Sequence, residues 1–256
     1  MLLAVDIGNT NTVAGVFRGA ELIARWRVAT DRQRMADEYA ALAATLFRVS
    51  GLEPAGISGA IVAGVVPTAQ RAVCEAIQQY LRLQPLLVSP DLDLGIRVEA
   101  QGAGADRIAN AVAAVDRYGT PSIVVDFGTG TNFDVVDHAG SYVGGAIAPG
   151  LEIAMAALFS GTAQLPHVAL EAPRAAIGTG TVTALQSGII FGFAGLVDGL
   201  VRRIDAELGG GAHVIATGGL APVVAPHAAT VHHVDDDLTL HGLRLIHQRN
   251  DSNCAH

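Results

Sequence analysis

The chain contains no lysine, and all sixteen of its basic residues are arginine. A P-loop places a lysine on its nucleotide phosphates, and pyridoxal enzymes and Schiff-base aldolases need a lysine amine, so these classes are excluded. Any phosphate chemistry here must rest on backbone N–H groups, hydroxyls, metal ions and arginine. Cysteine is almost as scarce: Cys74 and Cys254 form neither a disulfide framework nor a zinc site. Long apolar runs are missing too, since no window approaches the roughly 18 uninterrupted apolar residues of a membrane span. The nearest, SGIIFGFAGLVDGLV, carries Asp198 and four glycines and reads as a buried helix. Asp6 interrupts the first apolar stretch, which argues against a signal peptide. Positive charge is in deficit, with a net charge of −8, which argues against a nucleic-acid surface. The expectation is a cytoplasmic protein with neither membrane nor nucleic acid as partner.

What is present is a large apolar fraction, half of 256 residues, enough for one large domain or two smaller ones. The chain opens with LLAVDIGNTNTVAGVF: an apolar run ending at Asp6, a turn of small polar residues, and a second apolar run. Strands are expected at residues 2–6, 12–17 and 22–28. A helix is expected from Asp37 to about Ser50, where apolar residues recur at three and four. GAIVAGVV reads as a buried strand, Pro67 as a helix start, PLLVS as another strand, and GADRIANAVAAVDRY as a helix beginning near Asp106. Then the order restarts. SIVVDFGTGTNFDVV repeats apolar run, Asp, glycine turn and apolar run, with Asp126 in the place of Asp6 about halfway along the chain. A third strand in GSYVGGAIAPG, a long helix over roughly 182–208 and a strand in HVIATGGL follow. Self-similarity at half length points to duplicated domains. The expected division is 1–118 and 119–246, with 247–256 as a disordered tail.

The two Asp-x-Gly turns carry the clearest chemistry. A glycine two residues after a strand-ending Asp lets the backbone bend tightly and approach a ligand, and successive N–H groups in such a turn form an anion nest. Asn9, Thr10, Asn11 and Thr12 in the first turn, and Thr129 and Thr131 in the second, add neutral donors. An Asp beside phosphate makes sense only with a cation between them. Asp-Gly turns also occur in plain hairpins, but two at matched positions favour a ligand. ATGGL (216–220) is a third glycine turn after a strand that could hold an adenine or ribose close to the backbone, and GGAIAPG (144–150) is similar; each is a weak signal, equally explicable as a packing or stiff turn. In GADR (104–107), Asp106 is either a helix cap or a general base, and Arg107 beside it suits a substrate carboxylate. HHVDDD (232–237) reads as a solvated loop rather than a metal site.

Together these segments resemble type III pantothenate kinase, within the superfamily of acetate and sugar kinases, Hsp70 and actin. DIGNTNT is similar to the family's first phosphate motif, DFGTGT to its second, and GADRIANAVAA to its pantothenate-binding segment. GGAIAPG, LQSG, ATDRQRMADEY, VVP and DDDLTLHGL fall in their expected order. Upstream of Gly104 a tyrosine and an Asn-Pro often found in the family are missing. The resemblance implies an α/β fold of two duplicated ribonuclease-H-like domains, the actin-like ATPase fold, with a cleft between them. It implies ATP-dependent phosphorylation of pantothenate to 4'-phosphopantothenate, the first step of coenzyme A biosynthesis. It further implies Mg²⁺, a monovalent cation (K⁺ or NH₄⁺) and a homodimer. By position, the ATP segment is Asp6, Ile7, Gly8, Asn9, Thr10, Asn11, Thr12 and Val13, with Thr129 in the second loop. Asp6 would act through the Mg-phosphate and Asp126 on the monovalent cation. Gly104, Ala105, Asp106, Arg107 and Thr181 would meet pantothenate, with Asp106 as base. Two other readings stay open: a regulatory protein of the same fold, and a kinase of the superfamily acting on another small acceptor.

Overall fold

The computed structural model describes residues 1–161 and 168–251. The chain divides into two compact units: Met1–Ala113 together with the chain from Leu238 on, and Ala114–Asp237. The division differs from the one expected from sequence: residues 238–251 cluster with the first unit, and the first boundary falls inside a helix.

The first unit is built on strands β1 (Leu2–Ile7), β2 (Asn11–Arg18), β3 (Glu21–Ala29), β4 (Gly59–Gly64) and β5 (Leu86–Leu87), in the order β3-β2-β1-β4-β5. β1 runs antiparallel to β2 and parallel to β4. Successive side chains of a strand face opposite sides. Leu3, Val5 and Ile7 therefore face one side, where Tyr39 and Phe47 of α1 (Ala36–Val49) and Val73 and Ala76 of α2 (Pro67–Ala76) complete a core. Ala4 faces the other side, packed with Ile108 and Val112 of α3 (Ala105–Tyr118) and Leu240, Leu243 and Ile246 of α7 (Leu238–Asp251). By this alternation Asp6 lies on the face that α3 and α7 cover. Burying apolar area at about 25 cal/mol per Å² on both faces holds this layer together.

A two-residue strand β6 (Arg97–Val98) precedes α3. The second unit repeats the first with β7 (Ser122–Phe127), β8 (Gly130–Val136), β9 (Ser141–Pro149), β10 (His213–Thr217) and β11 (His233–Val234). These pair in the order β9-β8-β7-β10-β11, again with antiparallel hairpins on one side of the first strand and parallel partners on the other. Asp6 is opposite Val13 and Asp126 is opposite Asn132. Counted from those pairs, the sheets share an irregularity: a register shift at Val16/Phe17 in the first and at Val135/Val136 in the second. A bulge conserved at matched positions is a feature of the duplicated architecture rather than an accident of either half. The core of this unit lies under α5 (Thr181–Leu208), whose Ile189, Ile190, Ala194, Val197 and Val201 pack on Ile123, Val125 and Phe127. α5 is long and apolar enough to cross a membrane by length and composition, but this buried stripe makes it the core helix of its unit. α4 (Leu151–Ser160) and the single-turn α6 (Ala221–Val224) complete the α-helices among the described residues.

The expected tail requires correction. Residues 247–251 are the last turns of α7, while 252–256, including Cys254, lie outside the described residues. The HHVDDD loop is also not simply solvated. Asp235 is buried, accepting a hydrogen bond from the Tyr118 hydroxyl (3.0 Å) and pairing with Arg117 (3.2 Å). Burial, with the Asp235 hydrogen bond and charge adding to it, pushes the Tyr118 phenol up to about 12.

Candidate active site

The first turn is closed by the backbone. The Gly8 N–H donates to the Asn11 carbonyl (3.0 Å), and a Cβ on Gly8 would stand 3.0 Å from that oxygen. Asn9, Thr10 and Asn11 are exposed at the tip and Asp6 is half-buried beneath it. Ile7 and Thr12 belong to the same stretch but turn inward. Ile7 is fully buried in the core, and the buried Thr12 hydroxyl shares a 2.8 Å hydrogen bond with that of Thr30. Val13 packs against the cluster under α3 and α7. These three can serve a ligand only through their backbone.

Gly104, Ala105, Asp106 and Arg107 form the start of α3 on the same face of the same sheet as Asp6. Asp106 is the second helical residue, not the residue before the helix, and its Oδ1 accepts the N–H of Arg107 (2.9 Å). A Cβ on Gly104 would press on the Asp106 carboxylate and come within 3.8 Å of Val65. Val65 in turn donates its N–H to the Ile7 carbonyl (3.0 Å). Through Val65 the start of α3 lies near the end of β1, where the first turn begins. In the sequence Val65 appears only within the GAIVAGVV and VVP passages, with no role attached to it.

In the second unit, Asp126 occupies the fifth position of a six-residue strand, as Asp6 does in β1. Thr129 is half-buried in the turn, and the buried Thr131 donates to the Pro149 carbonyl (3.2 Å). Two glycines from distant segments fit this turn closely. Gly150 packs so tightly on the Thr129 carbonyl that no side chain fits there, and Gly218, at φ +90°, faces Asp126 Oδ1 and the Phe127 backbone. Both belong to the weaker glycine turns noted in the sequence, ATGGL and GGAIAPG. Their role is closer to the site: each supports the second Asp turn. Gly218 also leaves a bare backbone cradle beside the Asp126 carboxylate.

Thr181 is the exposed first residue of α5, at an open depression lined by Gly178, Thr179, Gly180, Ala184 and Leu185. The neighbouring LQSG motif is structural. Gln186 donates to the Ala169 carbonyl (3.2 Å) and Ser187 to the Ala176 carbonyl (2.6 Å), tying the incoming segment to the helix.

Two copies of one five-stranded sheet order, each with an Asp-Gly turn at the same point of its first strand, define the actin-like ATPase fold. A Campylobacter jejuni protein of the Baf family of transcriptional activators has this fold, with a TM-score of 0.62 at 18% identity, over 98% of this chain and 99% of that one. The family model for type III pantothenate kinase matches residues 2–203. Similar full-length relatives include the type III pantothenate kinases of Moorella thermoacetica, 48% identical over 253 residues (98% of this chain, 100% of that one), and Thermomicrobium roseum, 50% identical over 252 (97% of each). The chain belongs to the type III pantothenate kinase family.

Proposed function

We infer that this protein transfers the terminal phosphoryl group of ATP to the primary hydroxyl of pantothenate, giving 4'-phosphopantothenate and ADP, the opening step of coenzyme A biosynthesis in the cytoplasm. Beyond family membership, the observation that carries this reading is the pairing of Asp106 with Arg107 at the start of α3, beside the Asp6 turn. An uncharged acceptor would gain little from Arg107, whereas pantothenate carries a carboxylate that its planar fork binds in two parallel hydrogen bonds.

In this reading the Asp106 carboxylate takes the hydroxyl proton as that oxygen bonds to the γ-phosphorus. The β–γ bridging oxygen departs with ADP, so the transfer is balanced without a covalent enzyme intermediate. Phosphoryl transfer of this kind depends on positioning and charge neutralisation. Backbone N–H groups of residues 6–13 and of the Thr129 loop orient the phosphates, and Asp6 holds the metal side of the complex. Bound Mg²⁺ supplies the neutralisation that explains an acid at the base of an anion-binding turn, and it removes the need for lysine. Gly104 and Ala105 shape the acceptor site, and Thr181 offers it a hydroxyl.

Asp126 is assigned to a monovalent cation, supported by the cradle beneath Gly218. A homodimer is supported by apolar side chains on the second unit's surface: Val143 and Ile147 on β9, Ile153 on α4, and Ile177 and Val182 on either side of Thr181 are all exposed.

The direct test is ATP-dependent phosphorylation of pantothenate by the purified protein with Mg²⁺, in potassium and in sodium. Turnover stimulated by potassium is the expected result. A folded protein with no turnover in either salt would overturn the assignment.

A further inference from the structure

The segment leaving β3 has no role so far, yet the structure clamps it to the first turn. The Thr30 N–H donates to the Thr10 carbonyl (2.9 Å), and the Thr30 hydroxyl meets that of the buried Thr12 at 2.8 Å. Beyond Thr30 the chain is fixed again. The Asp31 carboxylate accepts the N–H of Gln33 (2.9 Å), and its carbonyl accepts the Tyr39 hydroxyl (3.2 Å). Two arginines follow. The guanidinium of Arg34 lies over the Tyr39 ring, 5.2 Å from its centre. Arg32 is exposed and reaches the tip of the turn itself, where its Nη2 donates to Asn9 Oδ1 at 3.4 Å.

We propose that Arg32 is a further phosphate-binding residue of this site, its guanidinium taking a non-bridging oxygen of the nucleotide's terminal phosphoryl group. The proposal rests on the kinase reading above. An exposed arginine is ordinarily a solvated surface charge. Arg32 differs because Thr30, two residues before it, is held to the phosphate turn by two hydrogen bonds, one from its backbone N–H and one at its hydroxyl, and because the one contact of Arg32 itself is long and made to a neutral amide. Most of its five N–H donors remain for a ligand. No carboxylate lies within ion-pair distance of Arg32 among the described residues, so a polyanion would not have to displace an acid.

The charge at this turn points the same way. The Asp6 carboxylate repels phosphate, lysine is absent from the whole chain, and Arg32 is the cation that the fold brings to Asn9. Topology selects the phosphate. The turn is met at its Asn9 tip by Arg32 from the β3 side and at its Ile7 base by Val65 from the β4 side, next to Gly104 and so to Asp106. The phosphoryl group that must meet the oxygen activated at Asp106 is the terminal one.

Arg32→Gln and Arg32→Lys in the full chain test this. Calorimetric binding of Mg-ATP and Mg-ADP without acceptor is measured beside steady-state kinetics. Loss of a charge-assisted hydrogen bond predicts about a 10- to 100-fold weaker Mg-ATP complex and a matching fall in kcat/KM for ATP with Arg32→Gln. Mg-ADP affinity, KM for pantothenate and Tm are expected to change little, with Arg32→Lys in between. Unchanged ATP parameters would overturn the proposal, and so would equal losses for ATP and ADP. If the unmodified protein binds Mg-ATP but leaves pantothenate untouched, the acceptor assignment fails. The ATP/ADP contrast then still decides the role of Arg32.

Discussion

Asp106 is asked to do two things at once. Its Oδ1 accepts the Arg107 N–H inside the first turn of α3, a local structural role, while the assigned chemistry requires it to accept a proton. Asp106→Asn separates these, because asparagine keeps a side-chain oxygen for the N–H but is a poor base. Turnover is expected to fall by about 10²- to 10⁴-fold, the usual contribution of a general base, with the unfolding midpoint nearly unchanged. Retained turnover with a lowered midpoint would make Asp106 a helix-terminus residue only. Gly218 poses the matching question in the second unit. At φ +90°, with its missing Cβ aimed at Asp126 Oδ1 and the Phe127 backbone, it tolerates no side chain without moving the second turn. Gly218→Ala is expected to cost roughly 1–2 kcal/mol in a denaturant titration, since left-handed backbone strains an L-residue. It is also expected to abolish stimulation by potassium; stimulation equal to that of the parent protein would detach Asp126 from the cation.

Among the elements, α5 shows how a long apolar helix is kept in register by one acid. Asp198 accepts the Thr230 N–H (2.9 Å), the Thr230 hydroxyl (2.8 Å) and the Ala229 N–H (3.2 Å), and sits 3.7 Å from Arg202. Burial alone would raise its pKa, but the Thr230 and Ala229 hydrogen bonds and the Arg202 charge outweigh burial and hold it below the usual carboxylate value. A carboxyl lowered in the fold contributes stability that is complete above the unfolded pKa, about 4, and is lost as pH falls through the folded value. Asp198→Asn is therefore expected to be less stable near neutrality, by about 1–3 kcal/mol. It should also lose less stability on acidification than the parent, as read from Tm against pH. Parallel pH profiles would show that the carboxylate charge is not what the loop recognises.

Strands were the most legible elements. Apolar runs broken by Asp-Gly turns locate β1, β2, β7 and β8 to within a residue or two, because a buried strand flanked by a tight turn is a local signal. α7 was not legible, and residues 247–251 read as tail. Its apolar positions, Leu238, Leu240, Leu243 and Ile246, are interrupted by Gly242, and QRND looks like the end of order. The helix persists because of a partner far away in sequence. Asn250 donates to the carbonyls of Ile246 (2.8 Å) and Asp93 (3.0 Å), while the Asp93 N–H donates back to Asn250 Oδ1 (3.1 Å). A cap supplied from the loop after β5 leaves no trace in a local window. The site was legible in the same uneven way. Asp6, Asp106, Arg107 and Asp126 announce themselves by motif, whereas Val65, Gly150 and Gly218 support them through contacts that only the folded chain creates.

At the scale of the whole molecule, the duplication extends to the order of five strands and to the position of the bulge, but not to the helices. The last helix, α7, belongs to the first unit's core. Its Gly242 packs so closely on the Ala109 carbonyl of α3 that a methyl group has no room. Gly242→Ala is expected to destabilise the first unit by about 1–3 kcal/mol through overpacking. Amide exchange is the readout, with the gain concentrated in β1, β4, α3 and α7; a uniform increase across both units would show that they unfold as one.

The placement of α7 also bears on how the protein is born. Residues 114–237 form one continuous stretch of sequence, whereas the first unit, although begun first, lacks α7, one of the two helices on its Asp6 face, until residues 238–251 emerge. The half carrying Asp6 and Asp106 is thus begun before the other and receives its last helix after the other has been synthesised.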